Sequence, residues 1–405
     1  MKKLLCILLA ACMTLTMISI AAADEAKTIK IGTIQALSGS SSVMGNMIEG
    51  GVDWAVELAN REGGITIDGE KYLVELVKKD SKSDVDTSIM AYKELASMGC
   101  VAVVGPHQAN IEIALAPVAE EIGTPIFMMG MDSRCTRRGE IGALTDPWTY
   151  MFLSQPSCDL QGAIQAKWCL EQGYKNVAVL YRVDNSYSYS LYYAFTAYMK
   201  ANGGTIAAAQ NFVAGDTDFS TQIMKMLEVN PDVLFCPNYT GELGGMIEQI
   251  RSYGWEGQIV CGLDAAPVLN EQVAPDIIKG CVFVSNIDLE SEKINGIWDE
   301  YAAWSGYTGA TNLMKFCLGY DMANVLMTSI SKGGATTQGV HDQLAALKDY
   351  EGLTGIISLG ENTHQPYGLA MNIYEYTGEG TPSGYKLLVG YSAETVDYTL
   401  EEFSY

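Results

Sequence analysis

From residue 29 onward the chain alternates short apolar, β-branched runs with longer runs of helical periodicity. This alternation restricts the fold more than any other feature, because strands separated by helices must pair in parallel through βαβ crossovers. The run IKIGTIQA (29–36) reads as a strand, 45–60 as an amphipathic helix stopped by Gly63-Gly64, and YLVELVKKD (72–80) as a second strand. A helix follows over 84–98 with Asp84 as its cap, then a buried strand at VAVVG (101–105), a helix over 110–121 and a strand at PIFMM (125–129). A second round begins at 158. Helices are expected over 158–172, 187–201, 219–228 and 241–253, and strands at 176–181, 205–212, 232–236 and 258–262. The segments AVELANREGG (55–64) and TAYMKANGG (196–204) close their helices in the same way, a weak sign of two similar lobes.

Beyond Gly280 the pattern changes. One strand (CVFVSN, 281–286) precedes helices near 293–304, 312–331 and 339–347, and β-rich runs follow at 355–359, 368–376 and 385–391. Helices outnumber strands here, as they do where a chain returns to complete lobes already begun. No linker rich in Pro, Gly or Ser separates the halves, so the connections between lobes are expected to be short hinges.

At 405 residues the chain suits two or three domains. Its 25 basic residues face 48 acidic ones, a net charge of −23, which disfavours phosphate backbones and anionic lipid; no nucleic acid is expected as partner. The first 23 residues read as a secretory signal: Lys2 and Lys3, an apolar run over 4–20, then Ala21-Ala22-Ala23. A lipoprotein box, Leu9-Ala10-Ala11-Cys12, is the alternative within it. The expected location is therefore periplasmic or extracellular, with a lipid anchor at Cys12 as the variant.

The machinery of catalysis is missing from the sequence. The three histidines, His107, His341 and His364, stand at no metal spacing, and neither H-E-x-x-H, G-x-S-x-G nor Gly-Lys-Ser/Thr occurs. GEGTPSG (378–384) has no helix after it and reads as a turn. Cys100, Cys135, Cys158, Cys169, Cys236, Cys261, Cys281 and Cys317 form no C-x-x-C pair, and their pairing is not assignable from sequence. The expectation is a protein that is not an enzyme and holds no metal or cofactor.

An ordered set of short motifs carries a resemblance. Leu37-Ser38-Gly39 ends the first strand, a polar loop leads to Gly45, and the helix closes on Asn60 and Gly63-Gly64-Ile65. Asp80-Ser81, VVGP (103–106), GTPIF (123–127) and Thr136-Arg137-Arg138-Gly139 follow. Then come VLFCPNYTGELGGMIEQIRSYGW (233–255) and GLDAAPVLN (262–270). Over 28–376 the chain resembles the type I periplasmic binding proteins, most of all the branched-chain amino acid (Leu/Ile/Val) binding proteins of ABC importers.

That resemblance implies an α/β fold of two doubly wound parallel-sheet lobes joined by three crossover segments, with ligand held in the cleft between them. Lobe 1 would comprise 24–152 plus 282–355, and lobe 2 153–281 plus 356–405. It implies a monomer that captures an amino acid, apolar or branched-chain, or a similar small carboxylate, and hands it to a membrane ABC permease. A sensory module on the same fold, or a binder of amides, urea or aromatic acids, is the alternative. The ligand carboxylate would meet backbone N–H groups at Ala109, Asn110, Gly130, Met131 and Asp132, with Asn110 opening a helix. Relatives often carry hydroxyls at positions matching Ala109 and Met131; His107 and Gln108 are the candidates to replace them. Asp264 would take the α-ammonium, Tyr187 and Tyr239 would line the second lobe, and Met44 the side-chain pocket. Asp132 fits badly, since a carboxylate there would repel the ligand's own; a second amine, solvent or a turn cap are its other possible partners.

Overall fold

The computed structural model describes residues 27–141, 145–265, 269, 273–308, 312–367, 369–379 and 384–391. The expected signal segment, with Cys12, and most of the GEGTPSG turn lie outside these residues. No helix among the described residues is long and apolar enough to cross a membrane.

The first sheet is built from β1 (Thr28–Gln35), β2 (Ile65–Ile67), β3 (Glu70–Asp80), β4 (Val103–Val104), β5 (Ile126–Met128) and β6 (Met151–Leu153). Its order is β2-β3-β1-β4-β5-β6, parallel except for the β2–β3 hairpin. The helices α1 (Ser42–Arg61), α2 (Val85–Ser97) and α3 (Ala109–Ile122) fill the crossovers. Local chemistry sets their ends. The Asp84 carboxylate accepts from the Thr87 N–H at 2.7 Å, as a helix cap should. At the end of α1, Asn60 exchanges two hydrogen bonds with Val74, Val74 N–H to Oδ1 at 2.8 Å and Nδ2 to Val74 O at 2.9 Å, clamping the helix to β3. Asn202, its counterpart in the sequence echo, bonds only within its own helix, to Tyr198 O. Asp80 accepts from the N–H groups of Leu37, Ser38 and Lys82 and from the Ser38 hydroxyl, which ties together the loops at the carboxyl ends of β1 and β3.

The second sheet takes α4 (Cys158–Glu171), β7 (Asn176–Arg182), α5 (Ser186–Ala201), β8 (Thr205–Phe212), α6 (Ser220–Leu227), β9 (Val233–Cys236), α7 (Thr240–Ser252), β10 (Gln258–Cys261), α8 (Pro275–Ile278) and β11 (Val282–Ser285). Two late strands complete it, β15 (Met371–Tyr376) antiparallel to β11 and β16 (Tyr385–Tyr391) antiparallel to β15, giving the order β16-β15-β11-β10-β9-β7-β8. Between β11 and β15 the chain returns to the first sheet as α9 (Glu292–Ser305), α10 (Leu313–Gly333) and α11 (Thr337–Ala345), followed by the ribbon β12 (Tyr350–Glu351), β13 (Ile356–Leu359) and β14 (Pro366–Tyr367).

These pairings move the expected lobe borders. Strand β11 pairs with β10 and β15, so the second sheet keeps the chain to Ser285 rather than yielding it at 282. The ribbon stays with the first sheet past 355: His364 O accepts from Leu153 N–H at 2.9 Å, and the His364 ring stacks on Phe152 at 4.3 Å. The three crossings therefore fall between β6 and α4, between β11 and α9, and between β14 and β15.

Helix α10 packs on α1 so closely that a Cβ on Gly51 would stand 2.1 Å from Phe316 O, and one on Gly319 2.1 Å from Ile48 O. The two backbones touch where glycine allows it, which fixes the start of α10 relative to α1. Asn312 caps that start, accepting from Lys315 N–H at 3.2 Å.

Candidate ligand-binding cleft

Loops at the carboxyl ends of parallel strands gather where the two sheets face each other, the usual place for a ligand in open α/β folds. From the first lobe come Gln35 at the end of β1, His107 and Gln108 after β4, residues 129–132 after β5, and Lys315 from the first turn of α10. From the second come Tyr187 and Ser190 on α5, Tyr239 after β9 and Asp264 after β10.

On the second-lobe side, three residues singled out from sequence are brought together. The Tyr187 and Tyr239 rings stack at 5.1 Å with 16° between their planes. The backbone N–H of Asp264, in the 3-10 turn Leu263–Ala265, donates to Tyr187 Oη at 3.3 Å. Its carbonyl accepts from the Thr240 hydroxyl. Burial, and next the Asp264 charge, push both phenols above their ordinary range, so they remain neutral donors and acceptors.

The Asp264 carboxylate is 2% exposed and has a partner on the opposite lobe: Lys315 Nζ lies 3.1 Å from its Oδ1. Lys315 is itself 3% exposed. Sequence reasoning passed over this lysine, although a lone cation in the apolar run NLMKFCLGY (312–320) is a readable signal.

The first-lobe side differs from expectation in three respects. Helix α3 opens at Ala109 with Gln108 in the cap position, and Asn110 is exposed rather than the opening residue. The N–H of Gly130 is already engaged: Glu112 Oε1 accepts it at 2.7 Å and that of Met129 at 3.2 Å. Gly130 admits this carboxylate because a Cβ there would lie 1.5 Å from Glu112 Oε2. Burial raises the Glu112 pKa to about 8, so the group is mostly protonated at neutral pH. Glu112 also escaped sequence reasoning; its signal was an acid in the first turn of a helix with high apolar content.

Asp132 is the third difference. It does not face a ligand amine. Its Oδ1 accepts from Arg134 N–H and Nε, each at 2.9 Å, and its Oδ2 from Arg134 Nη2 at 2.6 Å. It caps the short 3-10 turn Ser133–Cys135, one of the partners its position had left open. The same Oδ2 accepts from the Ser190 hydroxyl at 2.7 Å, so this carboxylate also joins the lobes.

Three candidates have simple surroundings. Met44 is half-buried on α1. Ala109 is buried, and its carbonyl accepts from the Cys135 thiol at 3.7 Å. Met131 is buried, and its sulfur accepts from Gln161 Nε2 at 2.8 Å. His107 Nδ1 lies 3.3 Å from Gln35 Oε1, while its Nε2 and Gln108 Oε1 are out of solvent without a protein partner. Burial, then the nearby Lys315 charge, push the His107 pKa down to about 3, leaving a neutral imidazole. Among the described residues no group of three or more His, Cys, Asp and Glu is placed to hold a metal ion.

Such an arrangement can grip a small molecule by its charges and an apolar body. Residues 28–381 match the family model described as periplasmic binding protein. The Leu/Ile/Val-binding protein BraC3 of Rhizobium johnstonii is 25% identical over 353 residues, 84% of this chain and 90% of that one. Among solved structures, the leucine binding protein LivK of Thermotoga maritima superposes with a TM-score of 0.76 at 23% identity, covering 91% of this chain and 100% of that one. The branched-chain amino acid substrate binding protein LivJ of Streptococcus pneumoniae, in complex with isoleucine, gives 0.75 at 26%, covering 89% and 99%.

Proposed function

The chain belongs to the type I periplasmic binding proteins, in the branched-chain amino acid branch, and from that premise we propose that it captures an apolar or branched-chain amino acid outside the cytoplasm and delivers it to a membrane ABC permease. A substrate-binding role comes with the family. The amino acid, the permease and export through the N-terminal segment are the further steps of the proposal.

The observation that carries the ligand class is the second-lobe cluster. Asp264 is a buried carboxylate with the chemistry to pair an α-ammonium, beside the Tyr187–Tyr239 stack as an apolar wall. A charge-assisted hydrogen bond of this kind is worth roughly 1.5–3 kcal/mol. Closure of the lobes around the ligand is the two-state element a permease would read.

Isothermal titration of the chain from Asp24 onward against the standard L-amino acids tests this. One or more apolar amino acids should bind, and Asp264→Asn should weaken that binding at least tenfold. Absence of binding across the amino acids, together with binding of an amide or an aromatic acid, would replace the proposed ligand class. Recovery of a chemically altered ligand would point to an enzyme.

A further inference from the structure

Two buried charges of opposite sign face each other across the cleft. Asp264 belongs to the second lobe and Lys315 to the first, and they meet at 3.1 Å with 2% and 3% of their surfaces exposed. The other features of the first-lobe wall explain why this pair matters. The N–H groups of Met129 and Gly130 are occupied by Glu112. Ala109 and Met131 bring no hydroxyl. The Arg134 guanidinium is spent in a fork on Asp132. His107 is a neutral imidazole at neutral pH and brings no positive charge. Among the described residues of this wall, Lys315 is a buried cation whose anionic partner, Asp264, stands on the opposite wall.

Resting on the amino-acid reading above, we infer that Lys315 is the carboxylate anchor of this protein, and that a zwitterionic α-amino acid binds by inserting into the Asp264–Lys315 ion pair, its ammonium going to Asp264 and its carboxylate to Lys315. The insertion replaces one salt bridge by two and leaves the buried charge balanced, since a zwitterion adds none. A monoanion would leave Asp264 and a second carboxylate to share one ammonium, and a monocation would leave Lys315 without an anion; either strands a charge away from water. Lysine suits the task because its charge is a point at the end of a flexible four-carbon stem, able to retreat from Asp264 while staying beside it. Its root does not move, because α10 is pinned to α1 by the backbone contacts at Gly51 and Gly319. His107 Nε2 and Gln108 Oε1 lie on the same wall, without protein partners, as neutral groups for the ligand's remaining polar atoms.

The test uses the chain from Asp24 onward and whichever standard L-amino acid binds it most tightly, with the amine lacking its carboxylate and the acid lacking its amino group. The wild type should prefer the amino acid over both truncated forms by at least a hundredfold. Lys315→Met should lose at least tenfold for the amino acid while narrowing its preference over the amine, and Lys315→Arg should recover part of the loss. Should Lys315→Met fail to fold, Lys315→Gln and the wild-type series decide. An amino acid that binds Lys315→Met and Lys315→Gln within twofold of wild type overturns the anchor and leaves the proposed function standing. An acid lacking the amino group that binds wild type as tightly as the amino acid overturns the insertion. If no amino acid binds at all, the proposed function falls and this inference with it.

Discussion

The hydroxyl of Ser190, on a helix of the second lobe, donates to Asp132 Oδ2 of the first at 2.7 Å. Both residues are buried, with Ser190 at 1% and Asp132 at 0% exposure. The bond exists only while the lobes are together, so its free energy belongs to the closed state. Ser190→Ala should therefore weaken ligand binding about tenfold, the equivalent of roughly 1.5 kcal/mol for a hydrogen bond to a charged acceptor. The unfolding midpoint without ligand should barely change. Calorimetric titration beside a thermal melt separates the two; an unchanged affinity would mean that closure does not depend on this contact.

Arg134 makes three hydrogen bonds to the Asp132 carboxylate. Two of them come from its guanidinium, which is partly exposed while Asp132 is fully buried. Arg134→Ala strands a buried anion and should destabilise the fold by about 3–5 kcal/mol in urea unfolding. Adding Asp132→Asn to that variant removes the stranded charge and should restore part of the loss. A double variant no more stable than the single one would show that Asp132 is not the source of the cost.

Glu112 gives stability a pH dependence whose sign can be worked out. Its pKa rises from 4.5 unfolded to about 8 folded through burial. The folded state thus binds the proton more tightly, and this contribution is fully present below pH about 4.5 and lost as the pH climbs to about 8. Glu112→Gln stays neutral throughout. Its unfolding free energy relative to wild type, followed by urea titration, should rise steadily between pH 5 and pH 8, by an amount on the order of a few kcal/mol. Glu49 and Asp159, raised to about 7 and about 6, titrate in the same window but are common to both proteins and cancel in the difference. A flat difference would show that Glu112 ionises normally.

The eight described cysteines are buried and unpaired. Burial lifts every one of these thiols above its ordinary pKa, which suppresses the reactive thiolate. The folded chain from Asp24 onward should react slowly with a thiol reagent, show eight thiols in denaturant, and melt at the same temperature with and without reductant. A reductant-dependent melt would require a disulfide.

Much of the architecture is legible in the sequence, because strand and helix alternate with clear periodicity and glycine marks the helix ends. Tyr187, Tyr239 and Asp264, which the family resemblance picks out, come together in the structure. The border expected at 282 moves because VFVS (282–285) pairs with β10 in the second sheet, a long-range choice that a strand's local pattern does not encode. Glu112, Arg134 and Lys315 were missed for a different reason. Glu112 and Lys315 act through partners that local patterning does not reveal, Glu112 through backbone 17 and 18 residues away and Lys315 through a residue of the other lobe, whereas Arg134 acts on Asp132, two residues back. Asp132 was misjudged by its type. A carboxylate at this position reads as hostile to a carboxylate ligand, yet its side chain is wrapped by the arginine two residues on.

The chain passes between the lobes three times, after β6, after β11 and after β14. A door hung at three points along one edge swings but does not twist or slide. Opening of this protein should thus reduce to one coordinate, followed by a single pair of labels, one on each lobe. It also follows that neither lobe is a contiguous stretch of the gene, so a truncation at the middle crossing cuts both halves of the molecule at once.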